Sequence, residues 1–517
     1  MGYLPGQPLK SKQLRERYRL QRRRQALAML GCIGAGVLFG VIVLATVLLA
    51  RSCERPAGEG PLITRITRPA GEGEGRAMLA GVNTFRNAPW LMAVDDERLF
   101  VAQDSQRREL TELNYPIDTI AAYSLGENTQ QWELELPPDS QADGLLAIGG
   151  NACLYTTHLS DPPFVELRGL AGNDGTTAWS QRIDLAEQVK VTSAAGMIVI
   201  NYRLADGYRL VGYRGTDGKR SSLGVKLPLR GLTSEEIDQT IAQGFQLYSW
   251  DDVVGYSYYN VAGIVDATSG KLLCENPLDY YVYDMAYSAA GKRGYALSGG
   301  ETRDSYIVWE LARNGAPLEL YRFLCPSDEI LLLATDDYVA VAFEIAEGVA
   351  AGSTKLVVLR REFGSPAVEH KFDGKHLAAD IAYLPSVSDE PARWLLALNG
   401  GADDDGWPTG KAQLFLVDPA AEEPVALLAN LKQPVQYMWT LKQDCLVVCR
   451  GGQVYSYDAS KQQLATLARL KYELALPLIS NDGKVLALAS APRDRWQGRP
   501  GRPLAVAAFK QANPAVQ

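Results

Sequence analysis

The chain has 517 residues, with 52 Lys plus Arg, 60 Asp plus Glu and only three His, for a net charge of −8 at neutral pH. Its first 25 residues hold eight basic side chains and one acidic, so the remainder carries 44 against 59, or −15. So acidic a body excludes nucleic acid and a flat anionic lipid surface as partners, because both require clustered cations.

The first element is a membrane helix. Lys10, Lys12, Arg15, Arg17, Arg19, Arg22, Arg23 and Arg24 stand before a run, 26–50, of 25 residues without one charged, Asn, Gln or His side chain. At about 1.5 Å per residue a helix of that length reaches roughly 37 Å, enough to cross a ~30 Å hydrocarbon core. The run is too long for a signal h-region of about 7–15 residues, and Val47-Leu48-Leu49-Ala50 followed by Arg51 makes a poor cleavage site. Arg51 and Arg55 are the only basic residues just beyond it, so the positive-inside bias keeps residues 1–25 cytoplasmic and exports the rest. The Arg cluster at 15–24 reads as topogenic charge that also attracts anionic headgroups. Gly36 and Gly40 form a G-x-x-x-G pair, a candidate contact between two membrane helices.

Residues 51–85 read as a flexible stalk. Arg55-Pro56-Ala57-Gly58-Glu59-Gly60 recurs as Arg68-Pro69-Ala70-Gly71-Glu72-Gly73, and such a composition cannot bury a core. Between the copies, Leu62-Ile63-Thr64-Arg65-Ile66-Thr67 alternates, a pattern that also suits a strand closing a sheet elsewhere. Six cysteines follow the anchor: Cys53, Cys153, Cys274, Cys325, Cys445 and Cys449. They are scattered, and Cys445 and Cys449 lie about 13 Å apart on one face of a strand, so buried free thiols are expected.

From 86 to 511 the chain is a succession of short apolar strands separated by turn residues. Units begin near Leu91, Leu145, Val189, Phe245, Met285, Ile330, Ala379, Tyr437 and Leu474, roughly 40–56 residues apart, the spacing of four-stranded propeller blades. Acidic or Asn-Gly-type turns punctuate each unit, as at Asp95-Asp96, Asp251-Asp252, Asp336-Asp337 and Asn481-Asp482-Gly483. Thr233-Ser234-Glu235-Glu236 is a capping box that opens a short inserted helix to about Gln243. The ninth unit is short, so the expectation is one all-β propeller of eight blades, with seven the alternative, and a tail at 512–517.

The hairpin Val265-Asp266-Ala267-Thr268-Ser269-Gly270-Lys271 resembles the Asp-x-x-Thr-Gly-Lys turn of quinoprotein-type (PQQ-like) propeller repeats. Gln131-Trp132 and Ala178-Trp179 resemble the Trp that follows that turn and docks neighbouring blades. The resemblance implies a ring closed by strands from both chain ends. It does not imply quinone chemistry, because those enzymes use adjacent cysteines and this chain has none. It points instead to the family's non-enzymatic envelope scaffolds.

No residue set specifies a reaction, a cofactor or a metal. His158, His370 and His376 lack metal-ligand spacing, and there is no Gly-x-Ser-x-Gly elbow to supply a nucleophile. The loop Gly401-Ala402-Asp403-Asp404-Asp405-Gly406-Trp407 lacks the alternation and the downstream Glu of a Ca²⁺ loop and reads as a solvated acidic turn. Aromatic residues concentrate at Tyr248, Trp250, Tyr256, Tyr258, Tyr259, Tyr280, Tyr281, Tyr283 and Tyr287. Tyrosines suit blade packing and also protein or glycan contact. The candidate binding residues are Tyr248, Trp250, Tyr258, Tyr259, Tyr280, Tyr281 and Trp407. The expected function is a membrane-anchored, exported, non-enzymatic scaffold for a protein partner in the cell envelope. Glycan recognition is the alternative, and a propeller lyase or hydrolase stands behind it.

Overall fold

A strand that is apolar on both faces needs a sheet on each side. In Asp444–Cys449 the side chains of Cys445, Val447 and Cys449 pack with Leu395 and Leu414, while Leu446 and Val448 pack with Leu486 and Phe509. Repeated along the chain, this pattern stacks sheets radially. The computed structural model describes residues 63–66, 77–85, 89, 91–103, 117–136, 141–158, 164–184, 187–204, 207–228, 245–250, 252–289, 291–326, 330–335, 337–345, 353–361, 365–372, 374, 377–385, 392–402, 408–440, 444–470, 474–480, 483–490 and 505–511. The expected membrane helix with Gly36 and Gly40, the helix at 233–243, His376 and the acidic loop with Trp407 lie outside these residues. Among the described residues no helix is long and apolar enough to cross a membrane.

The described residues form nine antiparallel sheets. Their innermost strands, which number the blades from one to nine, are Leu91–Val94, Gln141–Ile148, Glu187–Ala194, Gln246–Trp250, Val282–Ser288, Leu331–Ala334, Leu377–Leu384, Val435–Thr440 and Leu474–Ile479. Neighbouring sheets touch in sequence, and the ninth inner strand returns to the first. An apolar cluster fills each gap, including one of Val485, Ala487 and Val506 against Leu99, Val101 and Ala121 that joins blade nine to blade one. The fold is a single all-β propeller.

The expected blade number was wrong: the ring has nine blades, neither eight nor seven. The short ninth unit supplies only three strands, Leu474–Ile479, Val485–Ser490 and Ala505–Gln511, and the fourth comes from the other end of the chain. Ala77–Thr84, inside the span read as stalk, pairs with Ala505–Gln511 in the register Leu79↔Phe509 and Val82↔Ala507. This strand also grips blade one. The buried Asn83 amide donates from Nδ2 to the Ser124 carbonyl (2.9 Å) and accepts from Gly126 N–H (2.8 Å). At its start, Ala77 N–H donates to the buried Asp444 carboxylate of blade eight (3.1 Å). The alternating segment before it is a strand too: Ile63–Ile66 adds a fifth, outermost strand to blade eight, antiparallel to Gln463–Leu470.

Two tryptophans lock successive blades. Trp132, on the outer strand of blade one, donates from Nε1 to the Gly172 carbonyl of blade two (2.8 Å). Trp179 of blade two donates likewise to the Gly215 carbonyl of blade three (3.1 Å). Each ring lies flush on a left-handed glycine, Gly175 (φ 72°) or Gly218 (φ 65°), where an added Cβ would stand 2.6 or 2.5 Å from ring carbon. Only glycine serves both demands there. Cys153, Cys274, Cys325, Cys445 and Cys449 are free and buried, and burial pushes the Cys153 and Cys449 thiols up to about 12.

Candidate functional site

Strict antiparallel alternation decides which end of the ring each connection occupies. Connections from first to second and from third to fourth strands fall at one end. Those from second to third strands and from blade to blade fall at the other. Connections on a rigid frame are where binding residues concentrate.

At the second end, blades four and five present a rim of tyrosines. Tyr259 lies in the tight turn between Val253–Tyr258 and Val261–Asp266, and Tyr280 and Tyr281 lie in the connection to blade five. Backbone bonds lace these segments together. Val282 N–H donates to the Tyr259 carbonyl (2.8 Å), Leu278 N–H to that of Asn260 (2.7 Å) and Gly299 N–H to that of Tyr281 (2.9 Å). The Asn260 side chain adds a bond to the Leu278 carbonyl (2.7 Å). Tyr259 is held at φ 51°, the left-handed region. That conformation costs a residue with a Cβ about 1–2 kcal/mol and is a genuine outlier for so bulky a side chain.

All three rim tyrosines are half-buried. Tyr281 stands edge-on to Tyr283 at 5.2 Å, and the aromatic chain continues through Tyr306 and Phe323 to Phe343 of blade six. Beside the rim, Arg322 pairs bidentately with Glu319 (2.9 and 3.1 Å) and reaches Glu301 at 3.7 Å. Sequence reading missed Arg322 and Glu301. The fold is what joins an outer-strand charge to a distant turn.

The other candidates lie elsewhere. Tyr258 is buried, stacked on Phe245 at 6.0 Å. Tyr248 stacks on Trp250 at 5.7 Å, and Trp250 meets Tyr287 at 5.7 Å, within the gap between blades four and five. Their rings serve packing there, although Tyr248 and Trp250 remain partly exposed. His158 stacks on Phe164 at 4.2 Å and lies 3.5 Å from Glu166, and among the described residues no group of His, Cys, Asp and Glu is placed to hold a metal.

Two acids mark the inner strands. Asp284 and Asp380 each follow a bulge in the first strand of their blades, five and seven. Burial pushes both carboxyls up to about 6, against the pull of their N–H donors. Asp380 staples two blades, accepting from Ile381 N–H (2.8 Å) and from Met438 N–H of blade eight (2.6 Å). An acid whose folded value is raised keeps a proton that the unfolded chain releases. Its contribution is therefore full below about pH 4 and is lost as pH rises through about 6. Urea unfolding at pH 4.5 and pH 7 is expected to show a smaller loss of stability for Asp380→Asn than for the native chain. Between these two pH values the difference has a ceiling of about 2 kcal/mol, before discounting for the carboxyl's partial exposure.

No family model matches this chain, and no curated protein matches it. Solved structures similar to it include BamB from Moraxella catarrhalis, 10% identical, covering 86% of this chain and 100% of that one with a TM-score of 0.37. Sqt1 from Saccharomyces cerevisiae is 10% identical, with coverage of 84% and 100% and a TM-score of 0.42. A europium-containing methanol dehydrogenase is 11% identical, with coverage of 87% and 95% and a TM-score of 0.38. Likeness at this level carries no functional argument, so function is argued from the site.

Proposed function

We propose that this chain is a membrane-anchored, exported propeller that acts as a non-enzymatic scaffold, holding a protein partner of the cell envelope at the rim of Tyr259, Tyr280 and Tyr281. The anchor is the helix expected at 26–50, with residues 1–25 cytoplasmic. The observation that carries the reading is Tyr259, a bulky side chain held half-buried in a left-handed turn at the end where one blade connects to the next. Asn or Gly would occupy that turn with less strain, so a Tyr there favours a contact outside the ring. Tyrosines with neighbouring charged pairs are the composition of a partner-binding patch.

Tyr259→Asn separates this reading from simple packing. The variant is expected to keep or gain stability, by up to about 1 kcal/mol through relief of strain. Paired with Tyr281→Ser, it is expected to lose at least tenfold of a stoichiometric protein captured from detergent-solubilised envelope by the full chain. Capture that is equal with native and variant chains contradicts the proposal. So does retention by wall glycan with no protein.

A further inference from the structure

The gap between blades four and five is built differently from the gaps that Trp132 and Trp179 fill. In blade one the outer strand slips by one residue beside Tyr123↔Gln130, and Trp132 is the next paired residue. Blade two repeats this with Leu170↔Thr177 followed by Trp179, and blade four with Val265↔Leu272 followed by Cys274. Cys274 thus holds the docking position without a ring to fill it.

The receiving side has changed as well. The residue after the third strand, whose N–H reaches back beside the start of the second strand, is Gly172 in blade two and Gly215 in blade three, and it is Leu311 in blade five. The following turn is longer, and its left-handed Gly315 (φ 100°) has nothing within 4 Å of where a Cβ would stand. Gly175 and Gly218, by contrast, lie under the tryptophan rings. Asn276 of blade four holds this turn by a bond from Nδ2 to the Gly315 carbonyl (3.3 Å).

The result is a cleft of about 370 Å³ with Cys274 and Leu311 among its walls. The volume lies within the range of small-molecule sites. Tyr287, against which Trp250 packs, forms an aromatic wall. Three cations line the cleft, Lys292, Arg293 and Arg313, with one carboxylate, Glu310, which pairs with Arg293. Arg313 is oriented by a bond from Nη2 to the Lys292 carbonyl (3.1 Å), and Lys292 itself is held at φ 47°. Outside the lining, Asp266 is close enough to feel the Lys292 charge, but its Oδ1 accepts from Ser269 N–H and hydroxyl at 2.7 Å each. On a body carrying −15, a slot whose lining has more cations than anions favours an anion.

We propose that this cleft is a binding site for an aromatic carboxylate. The ring takes the space that a docking tryptophan occupies in the first two gaps, and the carboxylate meets Lys292 and Arg313. The site lies at the opposite end of the ring from the tyrosine rim and does not depend on the scaffold reading. The ligand is either a free acid or the C-terminal aromatic residue of a peptide, and the two share this chemistry.

The test is calorimetric titration of the full chain with indole-3-propionate, its amide, and the dipeptide N-acetyl-Gly-Trp with free or amidated C-terminus. Binding is expected for at least one free acid, weaker by about tenfold or more for its amide and for the Lys292→Gln/Arg313→Gln variant. Those two side chains are exposed, so the double variant is expected to keep its melting temperature. Cys274→Trp, which supplies the ring from the chain itself, is expected to abolish binding. Tighter binding of the free dipeptide assigns the site to a peptide terminus, and tighter binding of indole-3-propionate assigns it to a free acid. The absence of binding by either free acid at millimolar concentration overturns the proposal, as does affinity unchanged by amidation or by loss of the two cations.

Discussion

Replacing Trp179 by Ala is expected to lower the stability of the propeller by about 3–5 kcal/mol, the range for deleting a buried tryptophan. The cost has two physical parts. The ring is 8% exposed and belongs to the apolar cluster of blades two and three, with Ile183, Ile198 and Val211. Collapse heals the void poorly, because two of the surfaces against the ring are Gly169 and Gly218 backbone, which bring no side chain inward. The second part is the Gly215 carbonyl, which loses its indole donor. Trp179→Phe separates the two, since it keeps most of the packing and loses the bond, for about 1–2 kcal/mol. Urea unfolding measures both. Losses below about 1 kcal/mol for the alanine variant would show that the ring does not lock these blades.

The second large effect belongs to ring closure. Asn83→Leu keeps the side-chain size and removes both amide functions at a fully buried site, leaving the Ser124 carbonyl and Gly126 N–H without this partner. Two such losses cost about 1–3 kcal/mol each, so a drop of roughly 2–6 kcal/mol is expected by urea unfolding. Amide exchange is expected to quicken first in Ala77–Thr84 and Ala505–Gln511, the strands that meet where the chain ends join. A chain beginning after residue 84 loses the strand outright and exposes the edge of Ala505–Gln511, a template for association. It is expected to aggregate where a chain beginning at residue 62 stays monomeric in the same buffer. Equal behaviour of the two chains would contradict closure by this strand.

The propeller was legible because its code is local. Each of the nine unit starts falls on or next to an innermost strand, from Leu91 in Leu91–Val94 to Tyr437 in Val435–Thr440, since two-faced apolar strands between Asp and Gly turns leave few other solutions. Blade docking was legible at Trp132 and Trp179 for the same reason. The blade number was not, because strand Ala77–Thr84 belongs to a sheet whose other strands lie some 400 residues away in sequence. It follows the Pro-, Gly- and Glu-rich repeat that governed the reading of the whole segment as stalk, although Met78-Leu79-Ala80-Gly81-Val82 contains none of the repeat's Pro or Glu.

The candidate site was legible only as a concentration of tyrosines. Which of them reach the rim depends on strand parity: Tyr258 ends a strand and turns inward, whereas Tyr259 opens the turn and stays half-buried at the end of the ring. The cleft beside Cys274 was invisible in sequence. It exists because a ring is missing at a register position, and the register emerges only once the strands are paired.

A photo-crosslinking residue placed in turn at Tyr280 on the rim, at exposed Leu318 on the flank of blade five and at Lys292 at the far end would report directly on which surface meets another protein in intact cells. The account predicts one discrete protein adduct from position 280 and none from 318. An adduct confined to the flank or the far end, with position 280 silent, would contradict it.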